Sequence, residues 1–213
     1  MTSSTEQSRR PGRPRSATAH KAILDAAMEL LLEQGLQAMN MDQLAERAGV
    51  SKATIYRWWP SKELLALDAL ATEWATPATS ASRDTGSLRG DLLAQLRPWL
   101  RKLNARPFGR VIAGLVAQAQ TDPEFATLYR DHFVRPRRDA TRPLLLRAID
   151  RGEVAAGTDL ELALDLLYGP IYHRLLHGHA PLTERFVTQV IDAVITGIAP
   201  HRPTRPRAGN TGK

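Results

Sequence analysis

The stretch from residue 40 to residue 63 constrains the fold of this chain most, because it predicts two short helices joined by one glycine. Asn40 and Ser51 are residue types that cap the first turn of a helix, since their side-chain oxygens accept hydrogen bonds from free backbone N–H groups. Gln43 is placed to reach back to the first cap and complete a capping box. Gly49 stands between the helices, where a tight turn needs a residue that tolerates positive φ. The spacing predicts a helix-turn-helix.

The apolar residues of this stretch indicate which side of the helix-turn-helix is buried. Ala45 is small enough to let the two helices cross closely. Four apolar residues are placed to hold both helices against a third: Leu44, Ala48, Val50 and Ile55. The side left in solvent carries Lys52, Ala53, Thr54, Tyr56 and Arg57. Such a helix fits the DNA major groove, where its N-terminal residues reach base edges. An ordinary helical hairpin with charged outer residues is the alternative, and the joint occurrence of these positions disfavours it.

The rest of the chain also predicts helices, so the expected fold class is all-α. Between residues 16 and 200 no segment shows the sustained alternation of polar and apolar residues that is typical of an amphipathic strand. The expected helices span about 18–34, 40–49, 51–58, 61–74, 88–104, 108–121, 122–151, 159–177 and 183–199.

Several residues predict where these helices begin, end or break. Gly35 should end the first helix, and Asp122, which a proline follows, should begin the seventh. Pro136 and Pro143 should break or kink that helix, because a proline lacks the N–H donor and clashes with the preceding turn. The sequence Thr-Asp-Leu-Glu at 158–161 indicates a capping box at the start of the next helix.

The excess of positive charge lies in two tails. The formal net charge is +7, yet residues 16–200 carry equal numbers of acidic and basic side chains. Residues 1–15 hold four arginines against one glutamate, and residues 201–213 hold three arginines and one lysine with no acid. Tails of this composition do not bury enough apolar surface to order alone. The first, which abuts the helix-turn-helix, is expected to be attracted to phosphate backbones, and the second to aid solubility.

Composition also excludes several classes of protein and site. The absence of cysteine rules out disulfides, thiolate metal sites and cysteine nucleophiles. No apolar run reaches the ~20 residues that a membrane span needs, and the N-terminus lacks the apolar core of a secretory signal. We therefore expect a cytoplasmic protein with no membrane partner. The sequence has no nucleophile elbow, glycine-rich phosphate loop or paired-carboxylate site that stands out, so we expect no enzyme activity and no cofactor.

Three histidines form the group that most suggests a metal site. His173 and His177 lie one helical turn apart, with His179 close behind. No carboxylate follows at ligand spacing, and Gly178 ends the helix. A surface or interface role is favoured, and no metal is expected.

These segments together resemble a known family. Residues 42–57, with Trp-Pro-Ser-Lys-Glu at 59–63 and Gly-Leu-Gln-Ala at 35–38, are similar to the N-terminal DNA-binding domain of the TetR-type repressors. The match covers residues 18–70. The second half matches in length, helix content and its two closing apolar helices. The resemblance implies a homodimeric, all-helical repressor of double-stranded DNA, with a ligand pocket in its C-terminal domain.

The resemblance also implies roles for individual residues. Base edges and nearby backbone would be met by Lys52, Ala53, Thr54 and Arg57. Phosphates would be met by Tyr56 and Lys62. The two cap residues, Asn40 and Ser51, complete the interface on these two helices. Met39 stands where the family commonly has a hydroxyl residue, and it has no hydroxyl to offer a phosphate.

The basic arm at residues 10–15 is a second candidate contact. Its Gly-Arg-Pro sequence, with Arg13 at the centre and further arginines on both sides, resembles the minor-groove hook of AT-binding tails. A narrow minor groove attracts arginine. The arm either enters a groove or only adds diffuse charge.

The expected organisation has four parts: a flexible basic arm (1–17), a helix-turn-helix domain (18–76), a C-terminal helical ligand-binding and dimerisation domain (77–200) and a disordered basic tail (201–213). The last two helices, about 159–177 and 183–199, are apolar on more than one side, so we expect them to pair with their copies as a four-helix bundle. Candidates for the pocket of an unknown small-molecule effector are Trp99, Phe125, Tyr129, Phe133, Tyr168 and Tyr172.

The expected function is that of a sequence-specific, ligand-responsive repressor that acts on a roughly palindromic operator. Two alternatives stay open. An architectural DNA-binding protein without an effector would bind with little sequence preference and strong salt dependence. A helical enzyme that the DNA-binding segment only recruits would need a catalytic constellation.

Overall fold

The computed structural model describes residues 14–74, 84–105 and 108–200, which form helices and connecting turns with no strand among them. The helices are α1 (Pro14–Ala38), α2 (Met41–Ala48), α3 (Lys52–Tyr56), α4 (Lys62–Trp74), α5 (Leu88–Ala105), α6 (Phe108–Thr121), α7 (Pro123–Tyr129), α8 (Arg135–Asp150), α9 (Leu160–His177) and α10 (Glu184–Ile198). A π-helical segment (Arg130–Val134) joins α7 to α8. The all-α prediction is confirmed.

The chain divides into two compact units. The first comprises residues 1–75 and 106–134, with α1 to α4, α6, α7 and the π segment. The second comprises residues 76–105 and 135–213, with α5, α8, α9 and α10. Residues 106–134, which the sequence analysis places in the regulatory domain, therefore pack with the N-terminal helices.

The first unit is built around α1, which packs against α2, α4 and α6. One face of α1 is apolar and buried, as Ile23, Ala27, Leu30 and Leu31 show. This burial of aliphatic side chains is the main favourable term that holds α2 and α3 on the rest of the unit.

The second unit packs α5 against α8 and α10, and α9 against the same two helices. Its core includes one charged side chain, Asp91, which is 1 % exposed. Asp91 accepts hydrogen bonds of 2.7 Å from both the backbone N–H and the hydroxyl of Thr85. Arg147 and Arg151 each approach its second oxygen at 3.4 Å. The buried carboxylate is thus paired and hydrogen-bonded, which is what its burial requires.

Several helix ends lie where the sequence predicts them. The backbone leaves helical geometry at Gly35, with φ 76° and ψ 172°, although one further turn follows to Ala38. The side chains of Ser61 and Asp122 accept hydrogen bonds from Leu64 and Phe125 and cap α4 and α7. α3 is shorter than expected, since it ends at Tyr56.

The start of α9 differs in detail from the predicted capping box. The capping residue is Asp159, whose carboxylate accepts hydrogen bonds from the backbone N–H groups of Glu161 and Leu162 at 2.9 and 3.1 Å. Thr158 lies one residue earlier. The carboxylate is the stronger acceptor, since it is charged and faces the positive end of the helix dipole.

The helix was predicted to break at Pro136 and Pro143, and the predicted position of the break is wrong. The irregularity precedes both prolines, as the π segment Arg130–Val134, and α8 then runs through Pro143 to Asp150. Pro136 follows this segment within one turn. The wider π turn leaves room for the proline ring, and it changes the hydrogen-bond pattern where Pro136 has no N–H to donate. Pro143 lies on the exposed side of α8, where water can satisfy the carbonyl that loses its partner.

None of the helices in the described ranges combines the length and the apolar character that crossing a bilayer would take.

Candidate nucleic-acid interface

A glycine turn fixes the angle between α2 and α3. Gly49 has φ 65° and ψ 34°, in the left-handed region that the sequence predicts. Its N–H donates to the carbonyl of Glu46 at 3.2 Å, and the N–H of Val50 donates to the carbonyl of Ala45 at 3.0 Å. These two bonds form a Schellman motif, which satisfies the free carbonyls at the end of α2. A side chain at position 49 would be strained, so this turn depends on glycine.

Both predicted caps of the helix-turn-helix are formed. The side-chain oxygen of Asn40 accepts hydrogen bonds from the backbone of Asp42 and Gln43 at 3.1 and 3.0 Å. The hydroxyl of Ser51 accepts one from the backbone of Thr54 at 3.2 Å. The side chain of Gln43 does not complete the box, because it accepts a hydrogen bond from Gln34 of α1 instead.

The helix α3 has one buried side and one exposed side. Ile55 and Leu44 of α2 are fully buried, and Ala45 of α2 is largely buried. Lys52, Ala53, Tyr56 and Arg57 are exposed, and the side chain of Tyr56 stands 50 % exposed. Thr54 is half-buried, and its hydroxyl lies 2.9 Å from that of Ser51. We call the exposed residues Lys52, Ala53, Tyr56 and Arg57 the α3 face. Because α3 is not covered, this face is free to meet a groove of DNA.

The N-terminal end of the α3 face carries an ion pair. The ammonium of Lys52 lies 2.8 Å from a carboxylate oxygen of Asp42 in α2. The hydrogen bond to Asp42 and the negative charge of that carboxylate raise the pKa of Lys52 above its ordinary value. The lysine is therefore charged at neutral pH, and its charge is partly balanced before any DNA arrives.

Lys62, for which the resemblance implies a phosphate contact, makes its observed hydrogen bonds within the first unit. Its ammonium donates to the carbonyls of Leu36, Gln37 and Met39, at 3.1, 3.2 and 3.1 Å. An ammonium has three N–H donors, and all three are used here. Lys62 ties the turn between α1 and α2 to the start of α4. Met39 itself is 1 % exposed, so its side chain does not reach the surface.

Two tryptophans beside α3, Trp58 and Trp59, received no structural role from the sequence. The guanidinium of Arg57 lies 5.2 Å from the ring centre of Trp58, within cation–π range. Trp59 is 2 % exposed, and its indole N–H donates to Asp68 at 2.7 Å. The sequence did contain a signal for this burial, because a solvent-exposed turn rarely carries two consecutive tryptophans. The predicted contact Arg13 lies outside the described residues.

The six aromatic candidates for the effector pocket fall into two groups, one in each unit. In the second unit, Trp99 lies 6.0 Å, ring centre to ring centre, from both Tyr168 and Tyr172. In the first unit the rings of Phe125, Tyr129 and Phe133 stack in sequence, at 6.4 and 5.2 Å. All three are buried, which is what ordinary core packing requires.

A buried polar chain accompanies the group in the second unit. The hydroxyl of Thr141 donates to the side chain of Gln95 at 3.0 Å and lies 2.7 Å from the hydroxyl of Tyr168. Burial raises the pKa of the Tyr168 phenol above its ordinary value, despite the opposing hydrogen bond to Thr141. The phenol is therefore neutral at physiological pH and able to donate a hydrogen bond.

The three histidines at the end of α9 are close neighbours. The ring of His173 lies 4.6 Å from that of His177 and 5.0 Å from that of His179, between ring centres. Across the described parts of the chain, no cluster of histidine and carboxylate side chains has the arrangement that a metal ion needs.

Known proteins share both halves of this architecture. Residues 23–69 match the model of the bacterial regulatory proteins of the tetR family, and residues 82–194 match the tetracyclin repressor-like C-terminal domain. The HTH-type transcriptional regulator YdeS of Bacillus subtilis is 40 % identical, over 90 % of this chain and 95 % of its own. The DNA-binding transcriptional repressor TetR of Mycobacteroides abscessus is 32 % identical, over 85 % and 94 %.

A solved structure agrees with these relatives. The TetR family transcription regulator SCO0332 superposes with a TM-score of 0.71 at 37 % identity, covering 85 % of this chain and 99 % of that one. The sequence, the helix-turn-helix geometry and these matches lead to one conclusion: the chain belongs to the TetR family of bacterial transcriptional regulators.

Proposed function

We propose that the protein is a ligand-responsive repressor that binds an inverted-repeat operator as a homodimer. The observation that carries this proposal is the exposure of the α3 face. Ile55 is buried on the opposite side of α3, and the Gly49 turn fixes the angle of α3 to α2. Such a regulator works in the cytoplasm, where bacterial DNA lies.

The exposed positions divide into base readers and backbone contacts. Lys52, Ala53 and Arg57 extend from the uncovered side of α3, and we assign them to base edges and the nearby backbone. Thr54 joins them with the part of its side chain that is not buried. Tyr56 is assigned to a phosphate, because a phenol hydroxyl suits a phosphate oxygen.

The caps Asn40 and Ser51 mark the helix N-termini, and we place these next to the DNA backbone because the positive end of a helix dipole favours phosphate. Lys62 is left out of the interface, since its ammonium already serves three carbonyls.

An exposed stripe on α9 supports the dimer. Leu162, Leu166, Gly169, His173 and Leu176 are all exposed, and their spacing alternates between four and three residues. That alternation is the spacing at which one helix packs along another. We call these five residues the α9 stripe.

An apolar groove lies beside the α9 stripe in the same unit. Its volume is about 470 Å³, and its lining comes from both closing helices, including Leu162, Leu166, Ala193, Gly197 and Ile198. Small residues on α10 let a second helix approach closely, so the stripe and the groove fit a four-helix interface between two copies of α9 and α10. A symmetric pair would set the two α3 helices about 34–36 Å apart, one turn of DNA.

The second unit is the proposed site of the effector. Trp99, Tyr168 and Tyr172 supply aromatic surface, and Gln95 and Thr141 supply polar groups, which is the composition of a small-molecule site. A ligand that binds better to a conformation unable to bind DNA would lower DNA affinity by shifting the population.

The test is selection of a binding site from a random duplex library by the wild-type protein, followed by native mass measurement of the complex. The proposal expects an enriched inverted repeat that carries two protomers or a multiple of two. Enrichment of no sequence, or one protomer on a single half-site, would contradict it. The variant Arg57→Ala should lose enrichment of particular bases, whereas Arg101→Ala, which removes an exposed arginine of α5, should not.

A further inference from the structure

The carboxylate of Asp68, in the middle of α4, is shared by two elements of the first unit. One oxygen accepts the indole N–H of Trp59 at 2.7 Å. The other lies 3.2 Å from Nδ1 of His132, in the π segment. Asp68 thus joins the residue that follows α3 to the segment where the first unit ends.

Trp59 is fastened to α3 as well as to Asp68. Its backbone N–H donates to the carbonyl of Ile55 at 3.0 Å, and Ile55 is the buried anchor of α3. The indole is 2 % exposed and packs against the ring of His20, 4.8 Å away between ring centres. A buried indole N–H needs an acceptor, because a donor left without one costs its full desolvation. The position of Asp68 therefore influences where the C-terminal end of α3 lies.

His132 lies on a backbone that is itself irregular. π-helical turns are rare, and they often occur at functional sites. The π segment ends at Val134, where the chain passes from the first unit into the second. His132 and Asp68 are both half-exposed, with 38 % of each side chain in solvent. A contact between two side chains this exposed adds little stability alone, so stability is a weak explanation for its placement.

We propose that Asp68 is a positioning residue for DNA recognition, which holds Trp59 on one oxygen and His132 on the other and so ties the orientation of α3 to the π segment. This proposal rests on the proposed function, since it assumes that α3 reads DNA. It gives Asp68 no contact with DNA. Its effect reaches the bases only through Trp59 and the end of α3.

The experiment measures the affinity of the full-length protein for the duplex that the wild type enriches from a random library. The variant Trp59→Phe keeps an aromatic ring and removes the N–H, and Asp68→Ala removes the acceptor. Each should weaken specific binding about tenfold, which is the loss of one good base contact. The double variant should be no weaker than the single ones, because both delete the same hydrogen bond.

Two further variants separate positioning from a general loss of stability. Asp68→Asn keeps an acceptor oxygen for the indole and should recover most of the affinity that Asp68→Ala loses. His132→Ala should weaken binding about threefold in the wild type and not at all in the Asp68→Ala background. Asp25→Ala, which removes an exposed carboxylate from α1 of the same unit, is the matched control and should bind like the wild type.

Three outcomes would overturn this inference. None of them affects specific binding by the wild type, so the proposed function would stand. The three outcomes are unchanged affinity in Trp59→Phe and Asp68→Ala, additive losses in their double variant, or no recovery in Asp68→Asn. Binding to a scrambled duplex serves as the second readout. It should change little in every variant, because backbone attraction does not depend on the orientation of one helix.

Discussion

Lys52, at the start of the α3 face, and Asp42, in α2, form an ion pair of 2.8 Å between ammonium and carboxylate. The pair places a negative charge beside the side chains that are proposed to meet DNA. Asp42 therefore either orients Lys52 for a specific contact or competes with phosphate for it, and in both cases it discourages indiscriminate binding.

The variant Asp42→Asn is expected to bind all duplexes more tightly and to discriminate less between them. Releasing Lys52 to a phosphate should steepen the slope of log affinity against log salt by about 0.9 for each half-site. Titrations of labelled duplex across a salt series measure this slope. Asp25→Asn, the same change of charge on α1, should leave the slope unaltered. An unaltered slope in Asp42→Asn as well would show that the pair does not compete with DNA.

The variant Lys62→Met is expected to destabilise the protein. It keeps a chain of similar length but leaves three carbonyls between α1 and α2 without their shared donor, at a cost of about 1–3 kcal/mol in the free energy of unfolding. Urea unfolding followed by circular dichroism measures the change. Lys21→Met, which removes an exposed lysine of α1, should change it by less than about 0.5 kcal/mol. Equal stability of the two variants would show that the three carbonyl contacts contribute little.

The variant Leu166→Glu is expected to prevent dimerisation and with it specific DNA binding. Leu166 lies in the α9 stripe and is 48 % exposed in the single chain, and a carboxylate buried there in a dimer would lack a partner. Leu146→Glu is the matched control, because Leu146 is 46 % exposed on α8, outside the stripe. Sedimentation velocity should show a monomer for the first variant and a dimer for the second. The reverse result would place the interface on α8.

The variant Asp91→Asn is expected to lower stability at neutral pH by about 2 kcal/mol, because two arginines lose their buried charged partner. Burial alone would raise the pKa of Asp91, but hydrogen bonds from Thr85 and Arg151 and the charge of Arg147 outweigh it and lower the pKa below its usual 3.8. A depressed pKa in the folded state means that the stabilisation is complete above pH 3.8 and is lost as the pH falls through the folded value.

Urea unfolding of wild type and Asp91→Asn between pH 7 and pH 3 checks this dependence. The difference between the two proteins should be constant down to about pH 4 and should then shrink. A difference that stays constant to pH 3, or that grows as the pH falls, would show that the charge of Asp91 is not what stabilises the second unit.

Local physics explains why much of the helix-turn-helix geometry was predictable from sequence. Asn40, Ser51 and Gly49 act on backbone groups within a few residues of themselves, so their roles follow from their spacing. The burial of Leu44 and Ile55 follows from the helical period. The same helical period of apolar residues predicts the all-α fold and the closing helices α9 and α10.

The features that sequence reasoning missed join residues that are distant along the chain. Lys62 binds carbonyls more than twenty residues before it, and Asp68 of α4 meets His132, which follows α5, α6 and α7 in the chain. Nothing in the spacing of these residues reports such contacts. The π segment was missed for another reason. Pro136 and Pro143 indicate that the helix is irregular, but the irregular backbone can lie one turn before the proline. The contacts of Asn40, Ser51 and the α3 face with DNA stay predictions.

The ratio of affinities for the selected duplex and for a scrambled duplex of the same composition, at physiological salt, tests the central claim most directly. If the α3 face reads bases, the wild-type ratio should be at least about 1,000. It should fall steeply in a variant with both Lys52→Ala and Arg57→Ala. A wild-type ratio near one, with strong salt dependence, would contradict the account and identify an architectural DNA-binding protein instead.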